Sequence, residues 1–259
     1  MSEYYLIWFY TLSAVFGLCI GSFLNVVIYR VPNGMSVVAP PSHCPKCGTQ
    51  LKAIDNIPVL SYVFLHGKCR YCGTKISLRY TVVELLNAVL WLACALLFAD
   101  NGVLYAAVMM AACSVLICVC FIDLENMWIP DRFHLILLAL GITLTIAGNL
   151  SLKHGIIGMA VGGGFFLLMQ LGSRAVLKRE GLGGGDVKLM AAAGFLLGWK
   201  GVIMATLIAS LSGSIVLVAL ERKNKGDSRS YPFAPFLAFG ILFALMFGDA
   251  IINWYIGLF

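Results

Sequence analysis

Residues 181–194 read GLGGGDVKLMAAAG, three consecutive glycines followed by a single carboxylate, Asp186, and then a long apolar run. An ionisable group is costly to hold near hydrocarbon, so one placed where an apolar span begins marks a functional position and calls for a partner. The sequence offers Asp123, in CFIDLENMWIPD at 120–131, which follows directly on another apolar run. Two aspartates gathered at one edge of a bilayer suggest an aspartyl peptidase acting on a substrate that arrives through the membrane. The plainer reading is that each aspartate caps or flanks a helix, and residue type alone leaves both open.

Composition fixes the setting. Of 259 residues, 61% are hydrophobic and only 12% charged, with a mean hydropathy of +0.93. Soluble domains carry about 25% charged residues, so the chain reads as an all-α integral membrane protein. Apolar runs suggest about eight transmembrane helices, near 5–29, 80–99, 103–122, 133–149, 155–172, 187–199, 201–220 and 234–256. The first is too long for a secretory signal and lacks a basic start, so it is expected to be retained. The net charge of +6 has a topological explanation and needs no nucleic acid. With the N-terminus outside, sixteen Lys and Arg fall on one side of the membrane and only Lys153 and Lys200 on the other. Basic residues in short loops mark the cytoplasmic side, which places Asp123 and Asp186 together on the cytoplasmic face of a multi-pass protein.

Three parts follow: a first transmembrane helix (1–30), a cytoplasmic loop domain (31–79), and a multi-helix membrane domain (80–259) carrying both aspartates. The loop domain contains CPKC (Cys44, Cys47) and CRYC (Cys69, Cys72). Two C-x-x-C turns give one tetrahedral Zn²⁺ four thiolates and can organise a loop too small to bury a core. Disulfides or unrelated cysteines are the alternatives, and a reducing cytoplasm disfavours the first. Cys19, Cys94, Cys113, Cys118 and Cys120 lie in apolar spans and read as core residues.

A carboxylate pair hydrolyses a peptide bond when one member is ionised and takes a proton from water while the other is protonated and polarises the carbonyl. Like charges about 3 Å apart do not both ionise readily, so the two forms coexist. Gly183–Gly185 would let a substrate backbone come close and would permit positive φ. A phosphate cradle is the weaker reading, since Asp186 stands where a P-loop needs Lys and then Ser or Thr. Glu125 is a possible substitute for Asp123, and Asp131, after Pro130, reads as a helix cap. Asn25 and Glu84 read as caps or interhelical hydrogen bonds. Gly17, Gly21 and the glycines at 158 and 162–164 read as sites of close helix packing, and ERKNKGDSR (221–229) as a solvated cytoplasmic loop. A transporter using buried acids for a cation or proton and a zinc-dependent scaffold without catalysis are the readings from other classes.

Taken together, GSFLNVVIYRVP (21–32), the two cysteine knuckles, DNIPVLSY (55–62), ISLRYTVVELL (76–86), IDLENMWIPD (122–131), GGGDVKLMAAAGFLLGW (183–199) and FAPFLAFG (233–240) resemble the type IV prepilin peptidases, membrane aspartyl proteases of the GxGD class. The resemblance runs through nearly the whole chain. It implies that Asp123 and Asp186 are the catalytic pair, that the cysteine loop binds zinc, and that prepilins or pseudopilins are cut after a glycine at the inner membrane. It also implies N-methylation of the new N-terminus with S-adenosylmethionine. Tyr62 where Trp is expected, and Tyr231 ahead of FAPF, are departures that touch neither aspartate.

Overall fold

The computed structural model describes residues 3–177, 182–224 and 231–258. It holds eight helices: α1 (Glu3–Arg30), α2 (Leu60–Phe64), α3 (Leu78–Phe98), α4 (Val103–Asn126), α5 (Asp131–Ile146), α6 (Leu152–Leu177), α7 (Gly184–Asn224) and α8 (Ala234–Ile256). Six of them, α1, α3, α4, α6, α7 and α8, are long and apolar enough to cross a membrane.

All eight expected spans are helical, α7 supplying two of them, and α2 is an additional short helix. The span read at 133–149 is α5, 16 residues long; at 1.5 Å per residue that is about 24 Å, short of a hydrocarbon core of about 30 Å. It stops because Gly148 turns to φ +78. The spans read at 187–199 and 201–220 are the two helical halves of α7, which meet at a kink where Gly198 leaves helical geometry, at φ 65 and ψ 173. The eighth helix is α2, a single turn inside the segment read as a loop. The basic run at 221–229 is helical through Asn224, and residues 225–229 lie outside the described residues, as do Lys178 and Arg179 of the charge argument.

The chain divides into two compact units, residues 1–118 and 119–259. In the first, α1 and α3 run antiparallel in close contact. A methyl group on Gly17 would lie 2.8 Å from the Ala88 Cα, and one on Gly21 2.7 Å from the Glu84 Cα. Small residues at this spacing let helix backbones meet. Several of the polar groups the contact buries are paired, although Asn25 Oδ1 and Thr81 Oγ1 are not. Asn87 Nδ2 donates to the Gly17 carbonyl (2.7 Å), Ser114 Oγ to Asn87 Oδ1 (2.8 Å), and Trp91 Nε1 to Ser114 Oγ (2.9 Å). Asn25 Nδ2 donates to the Tyr80 carbonyl at 3.0 Å, and Glu84 Oε2 accepts the Val59 N–H at 2.8 Å. Interhelical hydrogen bonding is thus the role of Asn25, and Glu84 ties α3 to the loop.

In the second unit the glycine stripe read in α6 does what its spacing implies. Gly158 and Gly162 face the carbonyls of Gly194 and Met190 on α7 with no room for a side chain on either. Gly240 brings α8 against the Ala205 carbonyl in the same way. Backbone contact along α7 therefore aligns the helices that carry and flank Asp186. His154 of α6 faces the kink at Gly198. Cys94, Cys113 and Cys118 are buried as expected, whereas Cys19 is exposed on the surface of α1.

Candidate active site and metal centre

Asp123 stands in the last turn of α4 and Asp186 in the first turn of α7. Both are buried, 6% and 8% exposed, and their carboxyls lie close enough to interact electrostatically. The other acids are elsewhere. Glu125 and Asp131 are exposed, and Asp249 is 15 residues along α8 from Ala234, about 22 Å at helical rise.

A carboxylate at a helix C-terminus opposes the helix dipole, so Asp123 does nothing for α4. It serves α8 instead: Asp123 Oδ2 accepts the Ala234 N–H at 3.1 Å, one of the amides a helix start leaves without an internal partner. One carboxyl oxygen is thereby engaged. Asp186 is the third residue of α7, and the Gly183 backbone is its hydrogen-bonding partner, half of a capping box. Capping, the plainer reading of both aspartates, is therefore present in the geometry. It does not account for two buried carboxyls lying within electrostatic reach of one another, an arrangement that caps do not require.

The glycine turn departs from expectation in one respect. None of Gly183, Gly184 and Gly185 has positive φ; their use is space. A methyl group on Gly183 would lie 3.3 Å from Asp186 Oδ2, and one on Gly185 3.4 Å from Ile129. Gly183 and Gly184 are exposed, leaving bare backbone beside the carboxyl.

Two side chains not singled out from the sequence steady this turn. Gln170 on α6 is buried, and its Nε2 donates to the Leu182 carbonyl at 3.1 Å. Lys188 Nζ bonds Asp131 Oδ1 at 2.7 Å, with His134 Nδ1 3.5 Å from the same oxygen. The Lys188 hydrogen bond holds the Asp131 carboxyl below its usual range. Asp131 is thus not the expected cap: the N-cap position is Pro130, without a side-chain bond, and Asp131 turns toward α7. A glutamine in an apolar helix was the one sequence signal for Gln170; nothing in the sequence joined Lys188 to Asp131.

In the first unit the four cysteines of the knuckles meet. Their sulfurs all lie within 4.8 Å of one another, with Cys44 and Cys72 Sγ 3.8 Å apart. Four thiolates at 2.3 Å from a tetrahedral zinc would stand about 3.8 Å apart, so the cluster fits Zn²⁺. Each knuckle is the same small turn. The Cys44 N–H bonds the Thr49 carbonyl (3.0 Å) and the Gly48 N–H the Cys44 carbonyl (2.9 Å); Cys69, Thr74 and Gly73 repeat this at 2.8 and 2.9 Å. Gly48 and Gly73 have φ of +68 and +70, a conformation suited to glycine. Hydrogen bonds from the Thr49 side chain and backbone bring the Cys47 thiol down to about 6, while burial and the neighbouring thiols push that of Cys72 up to about 11.

The knuckles are anchored by one carboxylate. Asp55, in a 3-10 turn at Ala53–Asn56, takes Arg70 Nε (2.6 Å), the Tyr71 hydroxyl (3.0 Å) and the Lys52 N–H (3.2 Å). Arg70 and Tyr71 are the two residues between the cysteines of the second knuckle. Burial alone would raise the Asp55 pKa, but these three donors outweigh it and hold the carboxyl below its ordinary value.

Two family models match the sequence, the bacterial peptidase A24 N-terminal domain over residues 15–98 and the type IV leader peptidase family over residues 110–218. The chain is 36% identical to a prepilin leader peptidase/N-methyltransferase of Aeromonas hydrophila, over 96% of this chain and 94% of the relative. Relatives of the same description from Burkholderia pseudomallei (37%, covering 91% and 84%) and Bacillus subtilis (36%, covering 93% and 96%) are similarly alike. No solved structure matches.

Proposed function

This chain belongs to the type IV leader peptidase family, and on that footing we propose that it is a membrane aspartyl endopeptidase that removes the leader of prepilins or pseudopilins. Asp123 and Asp186 are the catalytic pair. The observation that carries this reading is their shared burial at the ends of α4 and α7, beside an exposed glycine backbone. A substrate strand lies along Gly183 and Gly184. One carboxylate takes a proton from the attacking water, the other gives its proton to the scissile carbonyl, and collapse of the tetrahedral intermediate returns a proton to the leaving amine. Ala234 engages Oδ2 of Asp123, which leaves Oδ1 as the oxygen that exchanges the proton.

Sixteen basic residues against two across the eight expected spans support a location for this pair on the cytoplasmic face of a bacterial inner membrane. There a basic leader gives way to a hydrophobic segment, level with the two acids. Cys44, Cys47, Cys69 and Cys72 hold a structural Zn²⁺. The relatives' description as N-methyltransferases supports a second step on the freed α-amine, for which S-adenosylmethionine supplies an electrophilic methyl group when bound. Among the described residues no glycine-rich turn between a strand and a helix stands ready for that donor, and no residue is assigned to it.

The test is to incubate purified protein with a prepilin-like peptide, with and without S-adenosylmethionine, and to weigh the products. A cut peptide, heavier by one methyl only when the donor is present, is expected. Asp123→Asn and Asp186→Asn should each cut at least about 10³-fold more slowly while keeping their zinc, as loss of a group acting within a catalytic unit does. Cleavage by the double variant at the normal rate would overturn the assignment.

A further inference from the structure

Within the loop domain, five apolar side chains stand exposed along eleven residues: Ile54, Ile57, Leu60, Val63 and Phe64, the last two 60% and 75% exposed. Ile54 belongs to the 3-10 turn, Ile57 follows its end, and Leu60, Val63 and Phe64 belong to α2, which contacts the turn. Burying such side chains is worth about 25 cal/mol for each Å² removed from water, so a run of them left uncovered calls for an occupant. Around them the domain is basic. Residues 31–79 carry Lys46, Lys52, Lys68, Arg70, Lys75 and Arg79 against a single acid, Asp55. A four-thiolate zinc centre is dianionic, and the balance stays positive after counting it.

The domain is also tied down at both ends. It leaves α1 at Arg30 and re-enters α3 at Leu78, and these two helix ends are neighbours through the Asn25 to Tyr80 hydrogen bond. A short segment tethered at two adjacent points of the membrane surface remains at that surface.

We propose that the face formed by Ile54, Ile57, Leu60, Val63 and Phe64 seats in the headgroup region of the anionic inner leaflet, held there by the surrounding lysines and arginines. Charge selects this occupant. Anionic lipids attract basic residues at the surface, and apolar side chains beside them enter the boundary of the acyl chains. The basic leader of a substrate would be repelled. Seated in this way, the domain is fixed at the height where a freed N-terminus emerges from the bilayer.

The experiment uses full-length, zinc-loaded protein in lipid nanodiscs, with photoreactive benzoylphenylalanine replacing Phe64 or, as a control, the exposed Val89 on the membrane face of α3. In discs containing phosphatidylglycerol, illumination should give a lipid adduct at both positions. Replacing that lipid with phosphatidylcholine, or introducing Lys52→Gln, Lys68→Gln and Lys75→Gln together, should lower the adduct at position 64 at least about fivefold and leave position 89 unchanged. Zinc content and leader cleavage establish that each variant is folded, and the adduct itself needs no catalysis, so the inference can fail while the peptidase assignment stands. Absence of a lipid adduct at 64 with the control intact would overturn it. So would an adduct insensitive to lipid charge and to the lysines, or a prepilin-like peptide that takes the lipid's place at 64.

Discussion

Replacing Gln170 by methionine isolates the hydrogen bond that steadies the glycine turn. Methionine keeps the unbranched length of the side chain and fills the same space, but it cannot donate to the Leu182 carbonyl now held at 3.1 Å. A neutral hydrogen bond of this kind contributes about 1 kcal/mol net, and a carbonyl left without its donor costs about 1 to 3 kcal/mol. Leu182 is half-buried, so water recovers part of that, and about 1 to 2 kcal/mol remains. If the bond's role is to hold the turn that presents Asp186, this loss falls on the transition state, and kcat decreases roughly 5- to 30-fold. KM for a prepilin-like peptide should hardly change. Single-turnover cleavage in detergent, analysed by product mass, measures kcat separately from product release, and Gln170→Asn serves as the shortened donor that restores little. A Gln170→Met protein that cuts within twofold of the parent, or one whose loss lies entirely in KM, would refute the positioning role.

The glycine contact between α6 and α7 predicts a pair of contrasting stabilities. Gly158→Ala, which drives a methyl into the Gly194 carbonyl, should lower the melting temperature by about 5 °C or more, whereas Gly164→Ala, with nothing within 4 Å of its added methyl, should leave it unchanged. Metal analysis should find one zinc per chain, and Cys44→Ser or Cys69→Ser should abolish it, since a structural site loses its affinity with any of its four thiolates. The Asp55 clamp predicts a pH dependence. Because the folded carboxyl titrates below its ordinary value, its contribution is fully present above an unfolded pKa of about 3.9 and disappears as the pH falls through the folded one. The stability advantage of the parent over Asp55→Asn, followed by hydrogen exchange in residues 52–75, should be constant above about pH 5 and shrink in more acid solution; an advantage that grows on acidification would contradict the clamp.

Much of this arrangement can be read from residues alone because the membrane leaves few alternatives. Long apolar runs must form helices, two C-x-x-C turns fix a tetrahedral geometry, and an acid at a span boundary announces itself by its cost. What escaped the sequence depends on partners far along the chain. The division between the spans read at 187–199 and 201–220 is present, but it falls at Gly198, where the backbone turns to φ 65. LSYVF at 60–64 is too short to show helical periodicity, and α2 forms where the Glu84 carboxylate holds the Val59 N–H, a contact 25 residues away in sequence. Pro130 takes the cap position, with its extended ψ of 132, and frees Asp131 to reach Lys188 across 57 residues. The glycines before Asp186 leave bare backbone beside its carboxyl, but the positive φ expected of them is found at Gly48 and Gly73 instead.

The bond from Ala234 to Asp123 also bears on inhibition. A transition-state mimic of the hydroxyl type gains its affinity by sharing protons with a carboxyl pair, and if Asp123 and Asp186 are that pair, the first amide of α8 already occupies one oxygen of Asp123 and the Gly183 backbone bonds the carboxyl of Asp186. A ligand directed at Asp123 must therefore address a single oxygen or dislodge the start of a helix, which favours a monodentate warhead.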